Sequence, residues 1–208
     1  MEQEIISMKS LIGLVMLAFV SLGYSQTSYT DSIQNLRDER NLHMVDSTSI
    51  LNDEEKENFI ALDFFDIDSS WVITANFKKK KGKVFKMKTS TSRLPEYRQY
   101  GIISFYVNDT LVELPVYENM ALKKNKEYKN YLFLPVKDYT IPNESYGAGR
   151  YIDLEKPDGK TIIIDFNMLY NPYCAYSSRY SCPIAPKENS INVRINAGEK
   201  IPRLKEEH

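Results

Sequence analysis

From Ser70 onward the chain breaks into short runs that alternate apolar and polar residues between turn residues, and this period of two constrains the fold more than any other feature. Successive side chains on a strand point to opposite faces, so alternation marks a strand with one buried face. Trp71 to Phe77 alternates, and Lys80-Lys81-Gly82 reads as a turn into Val84–Met87. Ile102–Val107 and Leu111–Val116 flank Asn108-Asp109, the composition of a tight hairpin. Tyr131–Val136 reads as a further strand. Tyr151-Ile152 and Thr161–Phe166 flank Pro157-Asp158-Gly159, a second strong turn, and Ile191, Val193 and Ile195 alternate in a last strand. About eight strands at hairpin spacing imply a mainly β protein, a single antiparallel β-sandwich or partly closed barrel.

The residues before Ser70 carry a different period. A helix is expected over 28–46, with Asp31 and Gln34 as a capping pair and Ile33, Leu36 and Arg40 on one side. A second helix is expected from Asp53, as N-cap, to Ile60. These N-terminal helices would cap the sheet.

Leu11–Val20 is an apolar run preceded by Lys9 and followed by Gly23-Tyr24-Ser25, the pattern of a secretory signal peptide cleaved after Ser25. Glu2 and Glu4 disturb its start, and initiation at Met8 restores a basic one. The run falls short of the roughly 20 apolar residues that span a bilayer, so the mature chain is not expected to span a membrane. Residues 1–25 are thus read as a signal peptide and 26–208 as one domain, exported to the periplasm or the extracellular space. Removing residues 1–25 takes one of 27 basic residues and two of 28 acidic ones, which leaves 26 of each. That balance offers no attraction for nucleic acid or an anionic membrane surface, and Lys78–Lys83 reads as a solvated hairpin tip.

The chemistry concentrates between Tyr146 and Lys200, which holds both cysteines and four of the eight glycines. In an oxidising compartment Cys174 and Cys182 form a disulfide, and closing so short a loop stabilises by roughly 2–3 kcal/mol in chain-entropy terms. Metal binding there would need further soft ligands, and the two histidines are His43 and the terminal His208. Neither is a credible base for a serine or cysteine nucleophile. Gly147-Ala148-Gly149 lacks the downstream glycine and helix of a phosphate loop, so no metal or cofactor is expected.

Two readings remain for the polar residues. Tyr146, Arg150, Asp165, Asn167, Tyr170 and Asn171 could build a concave face for a small polar ligand such as a saccharide or peptide. Alternatively, Glu144 or Glu188 with Asp165 could form the acid–base pair of a carboxylate-based hydrolase or lyase. Internal pairing of Arg150 and a purely structural domain are the plainer versions of the first.

Several ordered motifs in this region carry a resemblance. They are Asp138-Tyr139-Thr140, Glu144 to Tyr151, Asp165-Phe166-Asn167, Tyr170-Asn171-Pro172, Cys174-Ala175-Tyr176, Cys182-Pro183 and Ala197-Gly198-Glu199, preceded by Leu62-Asp63-Phe64-Phe65. Over about residues 35–200 the chain resembles the bacterial and archaeal family called domain of unknown function 1684. Pro142, where the family usually turns on glycine, and Ser145, where it has threonine, are departures confined to one turn. The resemblance implies membership and no activity.

Overall fold

The computed structural model describes residues 28–205, so the expected signal peptide lies outside them. Helix α1 covers residues 28–43 and α2 covers Asp53–Asn58. On α1, Ile33 and Arg37 are buried and Tyr29 and Arg40 half-buried, an inward stripe at steps of three and four. Gln34 bonds Asp38 one turn on instead of capping with Asp31. The cap of α2 is Asn52, not Asp53: its side chain accepts from the Glu55 amide while Glu55 accepts from the Asn52 amide.

The strands are β1 (Phe59–Ala61), β2 (Val72–Lys79), β3 (Val84–Lys86), β4 (Glu96–Val107), β5 (Thr110–Asn119), β6 (Tyr131–Val136), β7 (Arg150–Glu155), β8 (Thr161–Asp165) and β9 (Arg203–Leu204). The main antiparallel sheet runs β7-β6-β5-β4-β2-β8, with β3 also against β4; β1 and β9 pair apart from it. This curled half-barrel is the mainly β, partly closed architecture expected above.

Only one of the expected turns joins neighbouring strands. Asn108-Asp109 links β4 to β5, with Val107 opposite Thr110 and Asn108 at φ 50°. Lys80–Lys83 is not a hairpin tip. β2 and β3 lie end to end along the same side of β4, and the lysines form an exposed interruption in which the Lys80 and Gly82 amides still bond β4 carbonyls. Pro157-Asp158-Gly159 corrects the reading further, because β7 and β8 are the two edges of the sheet and do not pair. A connector of residues 156–160 reaches at most about 3.5 Å per residue, so it draws the two edges together at its own end. A seam is left between them.

Ile191, Val193 and Ile195 alternate inward as expected, but they form no strand of the sheet. Their backbone bonds the chain after β6 instead: Ile191 N to Lys137 O at 2.8 Å, Tyr139 N to Val193 O at 2.9 Å, and Ile195 N to Asp138 Oδ2 at 2.7 Å. With Ala197 they fill the core formed by Ile103, Leu114, Leu132, Leu134, Ile164 and Phe166. A smaller aromatic cluster packs around Tyr97, Tyr117, Phe133 and Tyr151.

The closed end of the seam is clamped electrostatically. Buried Glu118 meets Arg98 and Lys123, each at 2.6 Å, and Lys156, at the start of the connector, at 2.9 Å. Burial alone would raise this carboxyl, but the three cations outweigh it and hold it at about 2, below its ordinary 4.5. A depressed folded-state value gives stability present above pH 4.5 and lost as pH falls toward 2. We expect Glu118→Gln to lower stability at pH 7 by about 2 kcal/mol, discounted because the cations are partly solvated. Urea unfolding between pH 7 and pH 2.5 checks this, since the variant's stability should fall less steeply below pH 4.5 than that of the parent.

Candidate functional site

Where the two sheet edges diverge they leave a cleft of about 400 Å³, within the range of small-ligand sites. Strand β7 brings Ile152 and Asp153, β8 brings Ile163 and Asp165, and α1 lies across the gap with Leu36, Arg37 and Arg40. The turn Phe166–Met168 and the residues after it complete the lining with Asn167, Leu169 and Tyr170.

Asp165 is the N-cap of that turn. Its Oδ1 accepts from the Asn167 amide at 2.9 Å and from Asn167 Nδ2 at 3.0 Å, while Oδ2 accepts from Tyr29 Oη at 2.8 Å. Asn167 also bonds the backbone at Asp68 in both directions, tying the entry to β2 to the exit of β8. Burial, with the Asp165 carboxylate second, pushes the Tyr29 phenol well above its ordinary range, so it stays a donor.

Glu199 is 1% exposed. Its Oε1 accepts from Arg40 Nε at 2.5 Å, and Oε2 accepts from the Asn171 amide at 2.8 Å and Tyr176 Oη at 2.9 Å. Arg40 also lies over the Tyr170 ring at 4.8 Å. Asp153 Oδ1 accepts from the Tyr131 and Tyr170 hydroxyls at 2.7 and 2.8 Å.

Arg37 differs from its neighbours. It is 7% exposed, stacks on Phe64 at 4.5 Å and donates from Nη1 to Phe65 O at 2.9 Å. Its buried Nε and Nη2 have no hydrogen-bond partner among the described residues. Burial pulls this guanidinium below its ordinary value, opposed by Tyr29, Asp165, Asp66 and Glu199.

Of the six residues expected on a ligand face, Asp165, Asn167 and Tyr170 line the cleft together. The other three do not. Arg150 is 1% exposed and internal: Nη1 donates to the carbonyls of Ala197 and Glu199 at 2.5 and 3.0 Å, and Nη2 to Asp138 Oδ1 and Ile195 O at 3.2 and 3.1 Å. With both terminal nitrogens committed, it positions the chain instead of meeting a ligand. Asn171 is fully buried, with Nδ2 bonded to Tyr176 Oη and Lys200 O. Tyr146 is half-buried, its hydroxyl 3.8 Å from Cys174 Sγ.

Among the described residues the acid–base candidates bond different partners, and of the three only Asp165 lines this cleft. Glu144 bonds Arg194, Glu188 sits exposed in the turn Lys187–Asn189, and Asp165 is held by Tyr29 and Asn167. The expected disulfide is not formed in this structure, where Cys174 and Cys182 lie adjacent and unbonded, the Cys174 amide donating to Cys182 Sγ at 3.2 Å. The hydrogen bond with Cys182 holds the Cys174 thiol below its ordinary range, against burial and assisted by Tyr146 and Ser90.

Sequence reasoning missed Arg37, Arg40 and Glu199 as cleft residues, and Tyr29 as the hydroxyl that holds Asp165. The one available signal was Arg37 on the stripe Tyr29, Ile33, Arg37, Arg40, where an inward guanidinium is out of keeping with packing alone.

A curled antiparallel half-barrel, with a helix laid over a cleft of apolar walls and charged side chains between its unpaired edges, defines the class of protein. Residues 57–200 match the model of the family described as "Protein of unknown function (DUF1684)", and the chain belongs to that family. It is similar to an uncharacterized protein of Haloarcula marismortui known from a solution NMR structure, with 29% identity, 85% of this chain and 96% of that one covered, and a TM-score of 0.62. No curated protein matches the chain. Helix α1, which supplies Arg37 and Arg40, lies outside the matched residues.

Proposed function

We propose that the chain is an exported domain that binds a small polar ligand in the cleft between β7 and β8. The observation that carries this reading is the convergence of Asp165, Asn167 and Tyr170 with Arg37 and Arg40 around one hollow of about 400 Å³. Their side chains come from separate parts of the chain and are fixed by the bonds among Tyr29, Asp165 and Asn167 and between Arg40 and Glu199, so the site is shaped before anything binds.

A thermal-shift screen of the purified protein against glycan, peptide and organic-acid libraries tests it. Met168 is 41% exposed on the cleft wall, so Met168→Trp should leave folding intact and fill the hollow. We expect stabilising compounds to lose their effect on that variant. Compounds that stabilise both proteins equally would overturn the assignment.

Export and the disulfide belong to the same reading. We expect the mature protein to begin at Gln26 and non-reducing peptide mapping to recover Cys174 joined to Cys182. An intact N terminus, or two alkylatable thiols in freshly isolated protein, would contradict it.

A further inference from the structure

We infer that the cleft takes an amphiphilic organic carboxylate, with the carboxylate bound bidentate by Arg37 and an apolar body laid along the cleft walls. This rests on the binding reading above and sharpens it to one ligand class.

The argument starts from donor and acceptor accounting. The cleft's carboxylates already accept: Asp165 takes three bonds, Glu199 three and Asp153 two. Arg40 meets Glu199 through Nε and is a third exposed, so water reaches its remaining N–H groups. The buried donors left without a partner among the described residues belong to Arg37. Nε and Nη2 form one edge of the guanidinium plane, the edge whose two parallel N–H bonds match the two oxygens of a carboxylate. The other side of the group is fixed by Phe65 O, and its face is covered by the Phe64 ring. Orientation is therefore set in advance, and only the fork is left without a partner among the described residues. Leaving charged donors buried and unbonded is costly, so an incoming anion gains what the free protein forgoes.

The body of the ligand follows from the walls. Leu36, Ile163 and Met168 are 45%, 66% and 41% exposed, and all three border the cleft beside Ile152, Leu154 and Leu169. Exposed apolar side chains gathered at one hollow mark a surface meant to be covered. A neutral saccharide would cover them poorly. A chain or ring bearing one carboxylate satisfies both the fork and the walls.

The test compares hexanoate with its neutral isostere hexanamide and with inorganic phosphate on the mature protein, by calorimetry and by the side-chain Nε–H signal of Arg37 in NMR. Hexanoate should bind at least about ten-fold more tightly than hexanamide and move the Arg37 signal downfield. Arg37→Gln should erase that preference while leaving hexanamide binding nearly unchanged. Arg37→Lys, which keeps charge and loses the fork, should recover only part of it. Should the variants fail to fold, the isostere comparison and the Arg37 signal in the parent protein still decide.

Equal affinity for hexanoate and hexanamide would overturn the carboxylate inference and leave the binding site standing. An Arg37 signal that responds to phosphate and not to hexanoate would overturn the ligand class, and one that responds to neither would overturn the role of Arg37.

Discussion

Arg150→Met is expected to cost about 3–5 kcal/mol of unfolding free energy, because it leaves Asp138 as a buried charge without its counter-ion. Asp138 has no exposed oxygen to fall back on, since the residue is only 6% exposed. It accepts from Thr140 Oγ1 at 2.9 Å and from the Ile195 amide at 2.7 Å as well as from Arg150. Burial pulls the Arg150 guanidinium down from its ordinary value, while Asp138 and Glu199 oppose that shift. Removing either partner should cost nearly as much as removing both, and urea unfolding of Arg150→Met, Asp138→Asn and the double variant measures that coupling. A loss below about 1 kcal/mol for Arg150→Met would mean that the internal cage is not a determinant of the fold. The same variant should weaken ligand binding indirectly, since Arg150 fixes the carbonyls of Ala197 and Glu199 and so the chain that presents the Glu199 carboxylate to the cleft.

Gly198→Ala strikes that segment from the other side. Gly198 has φ +77°, a conformation open to glycine and costly for other residues, and a Cβ there would lie 2.5 Å from both Cβ and the carbonyl oxygen of Leu169. The clash is with backbone, which cannot swing aside. The Glu199 amide donates to that carbonyl at 2.8 Å, and the Gly198 carbonyl accepts from Phe65 N at 3.0 Å, so relief of the clash breaks two ties at once. We expect a loss of about 3–5 kcal/mol, combining left-handed strain with overpacking. Chemical denaturation reads it out. A variant within about 0.5 kcal/mol of the parent would show that the segment yields freely.

Local chemistry made much of the sheet legible. Asn108-Asp109 was readable because a two-residue loop imposes its own register on the strands that enter and leave it. Pro157-Asp158-Gly159 carries an equally strong turn signal, yet the strands beside it go to opposite edges of the sheet. Turn residues say that the chain bends; they do not say which strand it meets next. The lysine run misled for the same reason, since both strands beside it use one partner, β4. Ile191, Val193 and Ile195 showed their buried face in the sequence, but not that Asp138 and the chain after β6 would take the hydrogen bonds.

The candidate site was half legible. The dense polar stretch after Tyr146 contributes Asp165, Asn167, Tyr170 and Glu199 to the cleft and spends Arg150 and Asn171 on holding those groups in place. Nothing local distinguishes a side chain that meets a ligand from one that bonds its own backbone. The decisive cation came from α1, more than a hundred residues away in sequence from Asp165. Its inward position could be read from the helical stripe, but its unpaired fork depends on where Phe64 and Phe65 lie.

The most direct measurement is a methyl-labelled NMR titration of the mature protein with stabilising compounds from the ligand screen. The seam account predicts that the methyl signals of Ile152, Leu154, Ile163, Met168 and Leu169 shift together and saturably, while those of core residues such as Leu114 and Leu132 stay in place. Saturable shifts confined to residues away from the β7–β8 edges, with the cleft methyls unmoved, would contradict it.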